Sequence, residues 1–401
     1  MSDLPFDPSD PGFIADPYPV FAALRERGEV HRHPGLGLAV AVSHAACSEL
    51  LRARPLGRIW VDKEPAGRFA AFNLLHRNSL LESEPPRHTR LRRLISAAFA
   101  RGHTVRLRPW VGDLAGRMVD GLAAAIAADG AADLLEHLAA PLPIEVIGEL
   151  LGVPEADRPR LQPWSNAIVK MYEYGLPARR AGAAERAAVE FVAYLRELAG
   201  KRAVEPGDDL ISDLVAVRDG GDRLTDDELV GTAVLLLMAG HEATVNVIGN
   251  GVLALLRHRD QWDRLVATPD LAPLAVEELI RFDAPLQLFE RTATAETSIA
   301  GHVVRPGEKI AALLGAAARD PAVFADPDRL DVGRTPNPHL GFGAGIHYCV
   351  GAPLARVEIA AALDALLTRL PDLRLAEEPQ RRPEFVIRGL RTLPVTVTPT
   401  S

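Results

Sequence analysis

Phe342-Gly343-Ala344-Gly345-Ile346-His347-Tyr348-Cys349-Val350-Gly351 is the stretch on which the reading of this chain turns. It runs into Ala352-Pro353-Leu354-Ala355-Arg356-Val357-Glu358, a helical pattern with proline in its first turn, where a missing N–H costs nothing. Cys349 therefore stands just ahead of a helix N-terminus, where unpaired N–H groups and the helix dipole favour a thiolate. A metal on the sulfur would complete its deprotonation. Gly343 and Gly345 permit positive φ and bring loop amides close to the sulfur, which tunes a thiolate-ligated metal. The competing reading is a glycine-rich loop that cradles a phosphate ahead of a helix, as in Rossmann-type dehydrogenases. No parallel βαβ pattern precedes the loop, but spacing alone leaves both readings open.

Outward from this loop, composition narrows the classes. The 401 residues, 48% hydrophobic and 24% charged, can bury a large core and are not those of a disordered or fibrous chain. No linker or repeat divides them, so residues 1–401 read as one domain. Cys47 and Cys349 are the only cysteines, too few for a disulfide framework or a four-cysteine metal site. A net charge of -8 argues against nucleic acid as a partner. The opening Met1-Ser2-Asp3-Leu4-Pro5-Phe6-Asp7-Pro8 has neither a basic region nor an apolar run, so no membrane anchor is expected and the expected location is the cytoplasm.

Periodicity predicts a mainly α chain with small β regions (α+β). Residues 17–28 read as a short amphipathic helix, 29–42 as a hairpin turning at Pro34-Gly35, and the next helix carries Cys47, read as a small buried hydrophobe. From 55 to 80 the pattern fades into a long loop. Helices dominate 86–285. Short strands with turns at Gly301-His302 and Pro306-Gly307 fill 286–315, and a last hairpin is expected over 384–398. One helix stands out: a capping box, Thr225 to Glu228, opens a run to Arg257 of about 32 residues, roughly 48 Å. Its middle is apolar all round, as in a buried helix, yet it continues as Ala239-Gly240-His241-Glu242-Ala243-Thr244. Polar groups there are costly and need a compensating role.

The cysteine loop matches every fixed position of Phe-Gly-x-Gly-x-His-x-Cys-x-Gly, the haem-binding signature of the cytochromes P-450, and the chain resembles that superfamily along essentially its whole length. Three further segments match in the expected order. Glu278-Leu279-Ile280-Arg281 resembles the family's Glu-x-x-Arg helix, with Arg329 in the place of the arginine that completes the cluster. His88-Thr89-Arg90-Leu91-Arg92 resembles the helix whose His and Arg bind a haem propionate. The long helix resembles the oxygen-activating Ala-Gly-x-(Glu/Asp)-Thr segment: Gly240 leaves room for dioxygen and Glu242 passes protons inward. The family's alcohol follows the acid, and here that position is Ala243. Thr244 lies one residue further, about 100° around the helix, and its hydroxyl is expected to bond back to the Gly240 carbonyl instead.

The resemblance implies the P-450 fold, with haem b (iron protoporphyrin IX) between the long central helix and the cysteine-loop helix. Cys349 would be the iron ligand; Phe342, Gly343 and Gly351 would shape its loop; Arg291 and His347 would join His88 and Arg92 at the propionates. It implies a monooxygenase that activates O2 with two electrons and two protons, the thiolate donating electron density. Leu286, Leu288, Phe289 and Ile387, with the loop at 55–83 and Met171-Tyr172-Glu173-Tyr174, are the positions expected to meet a medium-sized organic substrate. Electrons would come from a separate ferredoxin and its NAD(P)H-dependent reductase, with Arg92, Arg93, Arg101 and Arg356 as candidates for the docking face. Oxidative coupling, desaturation and a non-turnover haem ligand-binding role remain alternatives. With only Lys63, Lys170, Lys201 and Lys309 among 45 basic residues, the composition resembles that of actinobacterial enzymes of secondary metabolite biosynthesis.

Overall fold

In the computed structural model, which describes residues 6–99, 102–174, 178–217 and 221–397, ten short strands accompany a larger set of helices. The strands are β1 (Val30–His33), β2 (Leu38–Ala41), β3 (Leu56–Gly57), β4 (Ala132–Asp133), β5 (Leu288–Ala293), β6 (Thr297–Ile299), β7 (His302–Val304), β8 (Lys309–Leu313), β9 (Leu373–Leu375) and β10 (Pro394–Val397). The mainly α reading with small β regions holds. Contacts gather the chain into two compact units. One comprises Met1–Gly57, Gly112–Leu142 and Ala243–Ser401; the other comprises Arg58–Val111 and Pro143–Glu242.

Among the described residues, the sheets all lie in the first unit. The turn at Pro34-Gly35 joins β1 to β2 in antiparallel register, Val30 opposite Ala41 and His33 opposite Leu38, and Gly37 closes it at φ 69°. The main sheet runs β1-β2-β8-β5-β3, with β2 and β8 parallel. Its apolar side packs on the helix His44–Arg52, where Cys47 is fully buried and its thiol donates to the Ala41 carbonyl at 3.2 Å. Burial pushes that thiol well up, so it behaves as a small hydrophobe. β10 does not form a hairpin with the residues just before it: it pairs with β9 and β4 instead. The expected hairpin over 384–398 is therefore corrected. Residues 384–392 make only isolated bridges, Leu286 to Ile387 and Arg381 to Leu390, and Thr398 lies outside the described residues.

The second unit is helical. The stretch expected to be loop from 55 to 80 contains a full helix, Ala70–Arg77, with Phe72 and Leu75 buried on one side. Its first-turn amides, Ala71 and Phe72, donate to the Glu185 carboxylate at 2.9 Å each. A cap supplied from so far along the chain leaves no local signal, which is why periodicity alone missed this helix.

The central helix, Asp226–Arg257, begins as predicted: the Glu228 amide donates to the Thr225 hydroxyl at 3.2 Å, and the Thr225 amide to the Glu228 carboxylate at 3.0 Å. Along its middle, Ala239 and Ala243, four residues apart and so on one face, are exposed while His241, Glu242 and Thr244 are buried.

Candidate active site

The cysteine loop is built by its glycines. Gly343 and Gly345 sit at φ 70° and 68°, where a side chain would be strained. A Cβ on Gly345 would lie 2.7 Å from the Leu51 carbonyl oxygen, so only glycine lets the loop pass the helix His44–Arg52. The Cys349 amide donates to the Phe342 carbonyl at 3.0 Å, which folds the loop back on itself. Gly351 then caps the helix Ala352–Arg369, with Pro353 in its first turn, and a Cβ on Gly351 would lie 3.9 Å from Cys349 Sγ. The sulfur is half-buried at a helix entrance, as the sequence predicts for a thiolate.

One arginine of that helix locks the loop from outside. Arg356 donates to the Glu277 carboxylate at 2.5 and 2.9 Å, its guanidinium lies 4.4 Å from the Phe342 ring centroid, and His339 reaches Glu277 at 3.0 Å. Burial raises the Glu277 pKa, but the bonds from Arg356 and His339 outweigh it and hold the carboxyl at about 2. Arg356 is thus an anchor of the loop rather than a spare surface charge. Of the other docking candidates, Arg93 is exposed and 3.8 Å from Asp222, Arg92 is half-buried, and Arg101 lies outside the described residues.

Beneath the loop lies the Glu-x-x-Arg pair. Glu278 and Arg281 are both 0% exposed and joined by two bonds of 2.8 Å. Arg281 also donates to the carbonyls of Ala318 at 2.7 Å and Pro327 at 2.8 Å, while burial presses its pKa down. The assignment of Arg329 as the third member is corrected. Arg329 is exposed and offers only its carbonyl, whereas the Arg334 side chain reaches both Glu278 oxygens, at 3.1 and 3.2 Å, and Asn337 adds a bond at 3.2 Å. The turn through Asp326, at φ 46°, carries the chain past the pair, so the inward-pointing arginine comes five residues later than spacing suggested. Leu330, where an aromatic is common, is buried all the same.

The remaining predicted residues fall in place unevenly. Arg291 on β5 is 1% exposed and stacks 4.5 Å over the Phe289 ring; a guanidinium that deep suits a carboxylate-bearing group. His347 is half-buried. His88 is buried on the helix Arg87–Phe99, with Arg92 one turn along. Leu286 and Ile387 face each other across an isolated bridge and are half-open, as is Phe289; Leu288 is 3% exposed and packs as core. Among the described residues no three His, Cys, Asp or Glu side chains are placed to share a metal ion. An iron here would take the thiolate as its protein ligand and its other bonds from an organic ring, which fits the loop.

Sequence reading missed a second cluster, in the helical unit. His76 is 2% exposed and stacks on Trp60 with 4.3 Å between centroids; Phe72 lies 4.4 Å away and the Tyr172 hydroxyl is 3.4 Å from Nδ1. Arg58 bonds Glu82 at 2.5 Å beside it. Burial pushes the His76 pKa down to about 4, so the imidazole is neutral. Its residues fall within the loop and the 171–174 segment singled out for substrate, and the only sequence signal was a run of rings without periodicity.

A profile of the cytochrome P450 family matches residues 270–388. The chain is 41% identical to the cytochrome P450 monooxygenase PikC of Streptomyces venezuelae, over 96% of this chain and 91% of that one. It is 42% identical to the nocardicin C N-oxygenase of Nocardia uniformis subsp. tsuyamanensis, over 87% of this chain and 85% of that one. Among solved structures, P450BioI in complex with hexadec-9Z-enoic acid ligated acyl carrier protein superposes with a TM-score of 0.91 at 34% identity, covering 96% and 99% of the two chains. The nocardicin C N-oxygenase is named for the compound it oxidises, and haem b is the cofactor of the family. At this identity and coverage the chain belongs to the cytochrome P450 family, as a haem-thiolate monooxygenase.

Proposed function

We propose that this P450 inserts one oxygen atom from O2 into a medium-sized, partly polar natural product, with electrons from a separate ferredoxin and its NAD(P)H-dependent reductase. The observation that carries the reading is the Cys349 loop, with its sulfur half-buried at a helix entrance and its glycines held at positive φ. Cys349 is the proposed iron ligand, shaped by Phe342, Gly343 and Gly351; His88, Arg92, Arg291 and His347 would neutralise the propionates. When bound, haem supplies the redox chemistry, and the thiolate lends it electron density. The protein's share is placement and protons. Leu286, Phe289 and Ile387 line the proposed substrate side, with Leu288 behind them. We take residues 1–401 to work as one domain in the cytoplasm; the helix long and apolar enough to span a membrane, Asp226–Arg257, has 72% of its most apolar window buried within the protein.

The proton route is where this chain departs from its family. Glu242 is the proposed acid and Gly240 leaves space for O2, but Ala243 replaces the alcohol and Thr244 points elsewhere on the helix. An ordered water or a substrate hydroxyl would take the alcohol's place. If Ala243→Thr raises product formed per NADPH consumed, substrate-assisted delivery loses its support. The reading as a whole is tested by the spectrum of the reduced protein under carbon monoxide beside Cys349→Ser. A strongly red-shifted Soret band in the wild type alone is expected; a histidine-like band in the wild type would sink the assignment. A second reading concerns supply: a relative that binds its fatty acid on an acyl carrier protein makes carrier-bound delivery an alternative to a free substrate.

A further inference from the structure

Two guanidiniums converge on one residue of a helix. A Cβ on Gly182 would lie 3.6 Å from Arg186 Nη1 and 3.8 Å from Arg68 Nη2, so Arg68 and Arg186 meet over one residue of the helix Ala178–Val204. Like charges brought together repel, and such a pair is tolerated where solvent or a partner's carboxylates screen it. Among the described residues, neither of these arginines nor Arg179 forms an ion pair, and all three are exposed. The carboxylate beside them, Glu185, is committed to the Ala71 and Phe72 amides at 2.9 Å. Val189 is 52% exposed and shares a face with Gly182 and Arg186, at the i, i+4, i+7 spacing of a helix. An exposed apolar residue one helix turn from an arginine of such a pair suits an interface.

We propose that Arg68, Arg179, Arg186 and Val189 form a docking surface for a small acidic carrier protein that presents a covalently tethered substrate; this rests on the carrier-delivery reading above. Position supports it: the helix Ala178–Val204 packs on both Ala70–Arg77 and Lys170–Tyr172, the segments that enclose His76 on the proposed substrate side. Charge supports it too. The discrete carboxylates of a compact acidic surface can pair with three arginine forks.

The test titrates a bacterial acyl carrier protein, empty or loaded with a hexadecenoyl chain, into the full haem-loaded chain at low salt and again at about 0.3 M salt. The expected result is salt-sensitive binding, weakened at least ~10-fold by Arg68→Glu/Arg186→Glu and unchanged by a control reversal, Arg117→Glu, on a different helix. Arg179→Gln, a milder change, should weaken it less. Equal binding by the double reversal overturns the proposal. So does absence of carrier binding by a chain with a normal red-shifted carbon monoxide band, or arginine-dependent binding to anionic phospholipid vesicles in its place. A missing band would instead sink the active-site reading itself.

Discussion

Two buried polar clusters, one in each unit, are held by different physics. Around Glu278 every oxygen is claimed by a directed bond: Arg281, Arg334, Asn337 and the Asp331 amide all converge on one carboxylate that is 0% exposed. Around His76 the group is neutral, its hydrogen bond to Tyr172 is long, and ring faces from Trp60 and Phe72 do the holding. A desolvated charge tolerates no missing partner, so residue types there are dictated. A neutral ring amid rings needs only shape, so many sequences would serve. The first cluster underlies the cysteine loop; the second falls within the segments proposed to meet substrate.

That contrast predicts unequal damage. Glu278→Ala or Arg281→Ala leaves a buried charge without its partner and should cost about 3–5 kcal/mol, enough to abolish haem incorporation, read as haem bound per chain. Normal holoprotein from either variant would break the comparison. Arg334→Ala should lose about 2–3 kcal/mol of stability in a denaturant titration, whereas the exposed Arg329→Ala should fall within about 0.5 kcal/mol of wild type. Equal effects would restore Arg329 to the cluster. Glu277 is a milder case. Its carboxyl is held at about 2, below the ordinary value of 4.5, so its stabilising share is whole above pH 4.5 and is lost as pH falls toward 2. Glu277→Gln should flatten the acid limb of the unfolding curve and cost about 1 kcal/mol at pH 7; an unchanged acid limb would show that Arg356 does not depend on it.

The same contrast explains what the sequence could reveal. Spacing announces interactions made along one helix or one loop: Glu278 and Arg281 three apart, Thr225 and Glu228 in a capping box, glycines at 343 and 345 before a cysteine. Interactions closed by a distant segment leave no such mark. Arg334 reaches Glu278 after a turn whose course depends on a positive φ at Asp326, and Glu185 caps a helix more than a hundred residues before it. β10 pairs with β9 and β4 rather than with its immediate predecessors, so its partners do not adjoin it in sequence. His76 combines both difficulties, being enclosed by residues 60, 72 and 172 with no period linking them.

At pH 8 only a small effect is expected at His76, and its pH dependence carries the information. Its pKa falls to about 4 in the folded protein because burial disfavours the charged ring, while the unfolded chain titrates near 6.5. Between those values the unfolded state binds more protons than the folded one. Stability is therefore whole above pH 6.5 and declines on acidification, by up to about 1.4 kcal/mol per pH unit, until the folded imidazole protonates near 4. His76→Phe keeps a ring of similar size against Trp60 and gives up only the long bond to Tyr172, so at pH 8 it should change stability by less than about 1 kcal/mol. On acidification from pH 6.5 to 4 the variant should lack the wild type's added loss, making it the more acid-resistant protein. Parallel curves would mean that His76 is already charged when folded, with Glu82 at 4.0 Å as its counter-ion. The enclosure would then be an ionic cluster of the same kind as that around Glu278, and the contrast between the two regions would close.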